Sequence, residues 1–236
     1  MIVANKQKKA QTIILSKKND FIIRLGHDAR ATIQQSLDNK KKPCIVNNTF
    51  FLPQFGNNFS LKDYMPRCKD DLSILEKFDL SDGAKTIAGE ENAGGNSVIS
   101  EVLSYEFLHR AFGAELEHTE MQLKYWPAES KKTDYSIKLN NQILGVSVTR
   151  AMHFIDDELF TEHDATMLLK KKLHGINMSS MNIVKRHKWE KQILHIWTRT
   201  EKIAQHLERA YRKLKSCYRA NTIVLITVAP QCNFLF

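Results

Sequence analysis

The run Asp134-Tyr135-Ser136-Ile137-Lys138-Leu139-Asn140-Asn141-Gln142-Ile143-Leu144-Gly145-Val146-Ser147-Val148-Thr149-Arg150 decides how the rest of the chain is read. Its first part alternates, Tyr135, Ile137 and Leu139 against Asp134, Ser136 and Lys138, which is the two-residue period of a strand with one buried face. Asn140-Asn141 is a tight-turn signal, and Ile143 to Arg150 resumes as a further strand. Upstream, Thr119, Met121, Leu123 and Tyr125 alternate with Glu120, Gln122 and Lys124, so another strand is expected there, stopped by Pro127. Three strands with short connections predict an antiparallel meander.

Outward from the meander the pattern turns helical. Val98, Val102, Tyr105, Leu108 and Phe112 recur at helical spacing between a Ser97 N-cap and a Gly113 stop. Glu162 to Leu173 reads as a helix ending at Gly175, with Ala165, Leu168 and Leu169 as its apolar stripe. A long helix is expected over Val184 to Ser216, burying Ile193, Ile196, Trp197, Ile203, Leu207 and Leu214. Thr222 to Ala229 is a nearly continuous β-branched run, the mark of a strand buried on both faces. Towards the start, Thr12 to Leu15 and Phe21 to Leu25 read as short strands and Asp28 to Leu37 as a helix. Pro43, Pro53 and Pro66 then break regular structure. Residues 1–80 are therefore expected as an irregular lobe and 81–96, with four glycines, as a flexible connection. Residues 97–236 form the expected α/β core.

Among the 236 residues, 35 Lys and Arg outnumber 26 Asp and Glu, a net charge of +9 that makes an anionic partner the first to test. The four cysteines make no Cys-x-x-Cys pair, which points to reduced thiols in an intracellular, cytoplasmic or nuclear, protein rather than a zinc or dithiol site. The longest apolar stretch is residues 222–229, too short for a membrane span, so no membrane partner is expected. A phosphate-cradling loop, a dinucleotide fingerprint and a nucleophile elbow are all absent, which lowers the case for an NTPase, dehydrogenase or serine hydrolase.

The order helix, three strands, helices, strand, with Glu101 on the first helix and Asp134 opening the second strand, resembles the restriction-endonuclease-like PD-(D/E)XK nuclease superfamily over Ser97 to Ala229. The resemblance implies an αβββαβ core on a mixed sheet. It also implies Mg²⁺ or Mn²⁺ held by Glu101 and Asp134 with the Val148 carbonyl, for hydrolysis of a phosphodiester in nucleic acid. The third-strand acid and lysine of that family are replaced by Ser147 and Thr149, which would then contact water or phosphate. The missing cation falls to Lys132, on the strand face of Asp134, or to Arg150, which alternation puts on the face opposite Ser147 and Thr149. Two readings stay open: a nuclease with a migrated cation, or a non-catalytic module that keeps the fold and binds nucleic acid or an acidic protein. Singly, Glu101 also reads as an acid complementing a helix dipole and Asp134 as a turn residue.

From Lys185 to Arg219 eleven cations face three acids, so Lys185, Arg186, Lys188, Lys191 and Arg199 are the expected phosphate contacts on a basic helix. Trp189 and Trp197, eight apart on that helix, would stack on bases or anchor it to the core.

Overall fold

The computed structural model describes residues 11–14, 21–26, 28–51, 72–90, 97–153 and 156–236. Its centre is a hairpin. Strand β5 (Tyr135–Leu139) pairs antiparallel with β6 (Gln142–Ala151), from Tyr135 opposite Val146 to Leu139 opposite Gln142. Asn140 and Asn141 both take positive φ, 49° and 60°, which is what a two-residue turn matched to strand twist demands. Strand β4 (Glu115–Thr119) adds antiparallel to β5. It follows helix α3 (Val98–Phe112), which Gly113 ends in the left-handed region at φ 74°.

From β6 the chain crosses through α4 (Glu162–Asn182) to β7 (Lys191–Thr198), then through α5 (Glu201–Lys213) and the short α6 (Ser216–Arg219) to β8 (Ile223–Val228). Strands β6, β7 and β8 are parallel, as helical crossovers require. Three earlier strands complete the sheet: β1 (Gln11–Ile14), β2 (Ile22–Leu25) and β3 (Cys44–Phe51), the last parallel to β8. The result is an α/β fold on one mixed sheet of eight strands in the order β1-β2-β3-β8-β7-β6-β5-β4. Helices α1 (Ala29–Asp38), α2 (Asp82–Ala88) and α3 cover one face, where Phe50, Phe107, Tyr135, Val146 and Trp197 share a core. Helices α4 and α5 cover the other, over Leu194, Ile196, Val224 and Ile226. Every residue of β7 and β8 is buried.

Several expectations need correction. Residues 184–216 are not one long helix, because Lys191–Thr198 is a central strand and the main helix is confined to Glu201–Lys213, capped by the Thr200 hydroxyl. Apolar residues at helical spacing and a run buried on both strand faces look alike over eight positions. The first strand of the meander ends at Thr119, where the expected one began. Leu123 and Tyr125 are buried as their alternation implied, but in a loop cluster with Ile183 and Trp189 rather than in the sheet. Helix α4 runs through Gly175 to Asn182, since its stripe continues with Leu173 and Ile176 and outweighs the roughly 1 kcal/mol penalty of an internal glycine. The N-terminal stretch read as irregular supplies strands β1–β3 and helix α1 to the same sheet. Residues 82–88 of the expected flexible connection are helix α2, capped by Ser81. The proline-broken run at 52–71 and the glycines at 94 and 95 lie outside the described residues.

Candidate active site

Asp134 sits just ahead of β5, at the point where that strand begins beside the second half of β6. Its backbone N–H donates to the Val146 carbonyl at 3.1 Å, and its carboxylate accepts the Val148 N–H. A strand residue turns its N–H and C=O to the same edge, so the Val148 carbonyl also faces Asp134. Glu101 lies in the first turn of α3. Ser97, expected to cap that helix, makes no side-chain cap; its hydroxyl donates to the Glu101 carboxylate instead.

The two acids, from separate elements, repel each other electrostatically, and Glu120 just after β4 adds a third negative charge. Burial pushes the Asp134 carboxyl up to about 8, reinforced by Glu101 and Glu120 and opposed by the Val148 N–H and Lys172. Glu101 is raised in the same way, burial first, with Ser97, Arg150 and Lys172 opposing. With Glu120 paired to Lys132, the charges of Lys172 and Arg150 face Glu101 and Asp134, and it is burial that makes these two carboxylates gain from a proton or an added positive ion.

Lys172, whose stem the sequence puts on the apolar stripe of α4, is not among the expected site residues. It lies on α4 within electrostatic reach of Asp134, and burial lowers its pKa while the Asp134 charge raises it. Its position was legible in one respect, since it stands between Leu169 and Leu173 on the buried stripe of α4, where a lysine needs a partner. Lys132 pairs instead with Glu120 at 3.7 Å. Arg150 lies on the strand face opposite Ser147 and Thr149, as alternation required, where it interacts with Glu101 and donates to the Leu235 carbonyl. Ser147 and Thr149 are half-buried on the α4 side of β6, Ser147 beside Asp134. Among the described residues no three His, Cys, Asp or Glu side chains already form a metal cage. Mg²⁺ requires less, since one or two carboxylates with retained waters and phosphate oxygens complete its shell, and Glu101 and Asp134 are the carboxylates that could fill that role.

The expected phosphate contacts do not share a helix. Lys185, Arg186 and Lys188 are exposed in the turn before β7. Lys191 is 1% exposed, and its Nζ donates to the Lys42, Lys40 and Asn39 carbonyls at 2.8, 3.3 and 3.4 Å. It closes the end of α1 and is out of reach of any ligand. Arg199 pairs with Asp157 at 2.9 Å and lies over the Phe236 ring. On α5, Lys202, Arg209, Arg212 and Lys213 are ion-paired with Glu158, Glu162 and Glu208, so that helix offers less positive charge than its composition suggests. Trp197 is buried with its Nε1 donating to the Ser100 carbonyl, and Trp189 is buried against Gly145. Neither reaches a base.

No family model matches the chain, and no solved structure matches it. A curated protein of Dictyostelium discoideum, described as "AAC-rich mRNA clone AAC4 protein", is 43% identical over 165 residues. That alignment takes in 67% of this chain but 24% of the relative, so the chain spans about a quarter of the curated protein it matches. No helix among the described residues is long and apolar enough to cross a membrane.

Proposed function

We propose that the chain is a metal-dependent phosphodiesterase of the restriction-endonuclease-like type, acting on nucleic acid, in which a helix rather than the third strand supplies the lysine. One observation carries the reading: Asp134, where β5 begins beside β6, is within electrostatic reach of Glu101 on α3 and Lys172 on α4, three groups from three separate elements. The order of elements from α3 to β7, helix, three strands, helix and strand, supports it as well.

In this reading Glu101 and Asp134 hold Mg²⁺ or Mn²⁺, which when bound neutralises charge developing on the phosphate and acidifies a water. Lys172 is within electrostatic reach from α4, placed to orient that water or accept its proton. The Arg150 charge favours the ionised form of Glu101. Ser147 stands beside Asp134 and can hydrogen-bond water or a phosphate oxygen.

Incubation with single- and double-stranded DNA and RNA in Mg²⁺ or Mn²⁺ tests this. Chelator-sensitive cleavage is expected, abolished in Asp134→Ala, lowered about 100-fold or more in Lys172→Ala, and nearly unchanged in Lys132→Ala. Absence of chelator-sensitive cleavage on every substrate overturns it. The second reading, a non-catalytic nucleic-acid-binding module, is favoured by one feature: β6 carries Ser147 where the family's third strand carries an acid. It predicts binding that chelator leaves intact and no cleavage.

A further inference from the structure

Trp126 is 80% exposed, although the loop that carries it is firmly anchored. Leu123 and Tyr125, which precede Trp126, are buried against Ile183 and Trp189. The Tyr125 hydroxyl accepts the Thr133 N–H, and the Trp126 N–H donates to the Asn182 carbonyl at 2.8 Å. Val184 N–H returns a bond to the Lys124 carbonyl at 3.0 Å, so the loop is laced to the end of α4 and the turn beyond it. Burying a tryptophan is the ordinary outcome, and both other tryptophans of the chain are buried. An ordered backbone that holds one in water presents it to something.

What surrounds it narrows the choice. Met181 is 77% exposed beside it in the chain segment to which Trp126 is bonded. The two laced segments, residues 124–132 and 181–188, carry Lys124, Lys131, Lys132, Lys185, Arg186 and Lys188 against a single acid, Glu129. Apart from Lys132 with Glu120, none of these cations has a carboxylate partner among the described residues. An exposed indole on two laced segments rich in cations suits a π-surface attached to phosphates, and a base shows its face only when unpaired or at a strand end. Helix α4 joins the platform to the candidate active site. Asn182, which Trp126 bonds, lies ten residues along α4 from Lys172, about 15 Å at the helical rise, or about four stacked nucleotides.

We propose that Trp126 is a stacking platform for an unpaired base, so that this protein engages nucleic acid carrying a single-stranded segment. The proposal rests on the nucleic-acid reading above for its choice of partner, but not on catalysis. With Trp189 and Trp197 buried, the emission of Trp126 reports on it directly. The test titrates the full chain, in chelator, with a 12-nucleotide single-stranded oligonucleotide and with a blunt duplex of the same sequence. Quenching by the single strand is expected, with affinity about ten-fold lower in Trp126→Ala and largely retained in Trp126→Phe; blunt-duplex affinity should change little in either. Single-strand binding without quenching, equal losses on both substrates, or no single-strand binding overturns the proposal. Quenching in a protein that never cleaves leaves the platform standing and removes the phosphodiesterase reading. Cleavage indifferent to Trp126→Ala does the reverse.

Discussion

His195 lies within the sheet with both ring nitrogens engaged, Nδ1 to the Ser104 hydroxyl at 2.7 Å and Nε2 to the Thr227 hydroxyl at 2.9 Å. Burial holds its pKa down to about 3. An unfolded histidine titrates near 6.5, so the unfolded chain takes the proton first. Stability from this group is complete above about pH 6.5 and falls as pH drops towards 3, by up to about 4–5 kcal/mol. Urea unfolding at pH 7 and pH 4 should show that loss, and His195→Gln should flatten it. Asp134 has the opposite sign. Its carboxyl is raised to about 8, so the metal-free protein is expected to gain stability as pH falls from 8 towards 4. Asp134→Asn should stabilise the metal-free protein by about 1–2 kcal/mol at pH 9 and erase any thermal shift on adding Mg²⁺. Melting curves with and without Mg²⁺ check both effects.

At the scale of elements, the close approach of β6 to the Trp189 segment depends on Gly145, where an added Cβ would meet the Trp189 ring at 2.9 Å. That ring is buried and its Nε1 donates to Ser180, so it has little room to yield. Gly145→Ala should cost about 1–3 kcal/mol, read by denaturant midpoint at unchanged slope. The same region marks where periodicity stopped being informative. In β7, Ile193 and Trp197 serve one face while Leu194 and Ile196 serve the other, and a strand covered on both sides has no polar face to betray its period. Helix α5 kept a clean signal, with Ile203, Ala204, Leu207, Ala210 and Tyr211 buried and the rest towards water.

Over the whole molecule the net charge of +9 is distributed less simply than the sequence suggests. The cations of α5 are spent on ion pairs and Lys191 on backbone carbonyls, while Lys185, Arg186 and Lys188 stay exposed near Trp126. Binding to single-stranded oligonucleotide should weaken linearly on a log–log salt scale. Lys185→Ala combined with Arg186→Ala should reduce that slope by about 1–2, whereas Lys191→Met should leave it unchanged and destabilise the fold. Titrations between 50 and 200 mM salt distinguish the two.

The sequence by itself determined the β5–β6 hairpin, its Asn140-Asn141 turn, helix α3 with its Gly113 stop, and the both-sided burial of β8. Each of these is written in neighbouring residues, through period, turn chemistry or a left-handed cap. Glu101 and Asp134 were named through the resemblance in element order, since read singly each is an ordinary helix-start or turn acid. Only the tertiary structure decided that Lys172 lies within electrostatic reach of them, that Lys191 is buried and that Trp126 is not. Those outcomes depend on how α4 and the loop after β4 pack on the sheet, and contacts between residues tens of positions apart leave no local period to read.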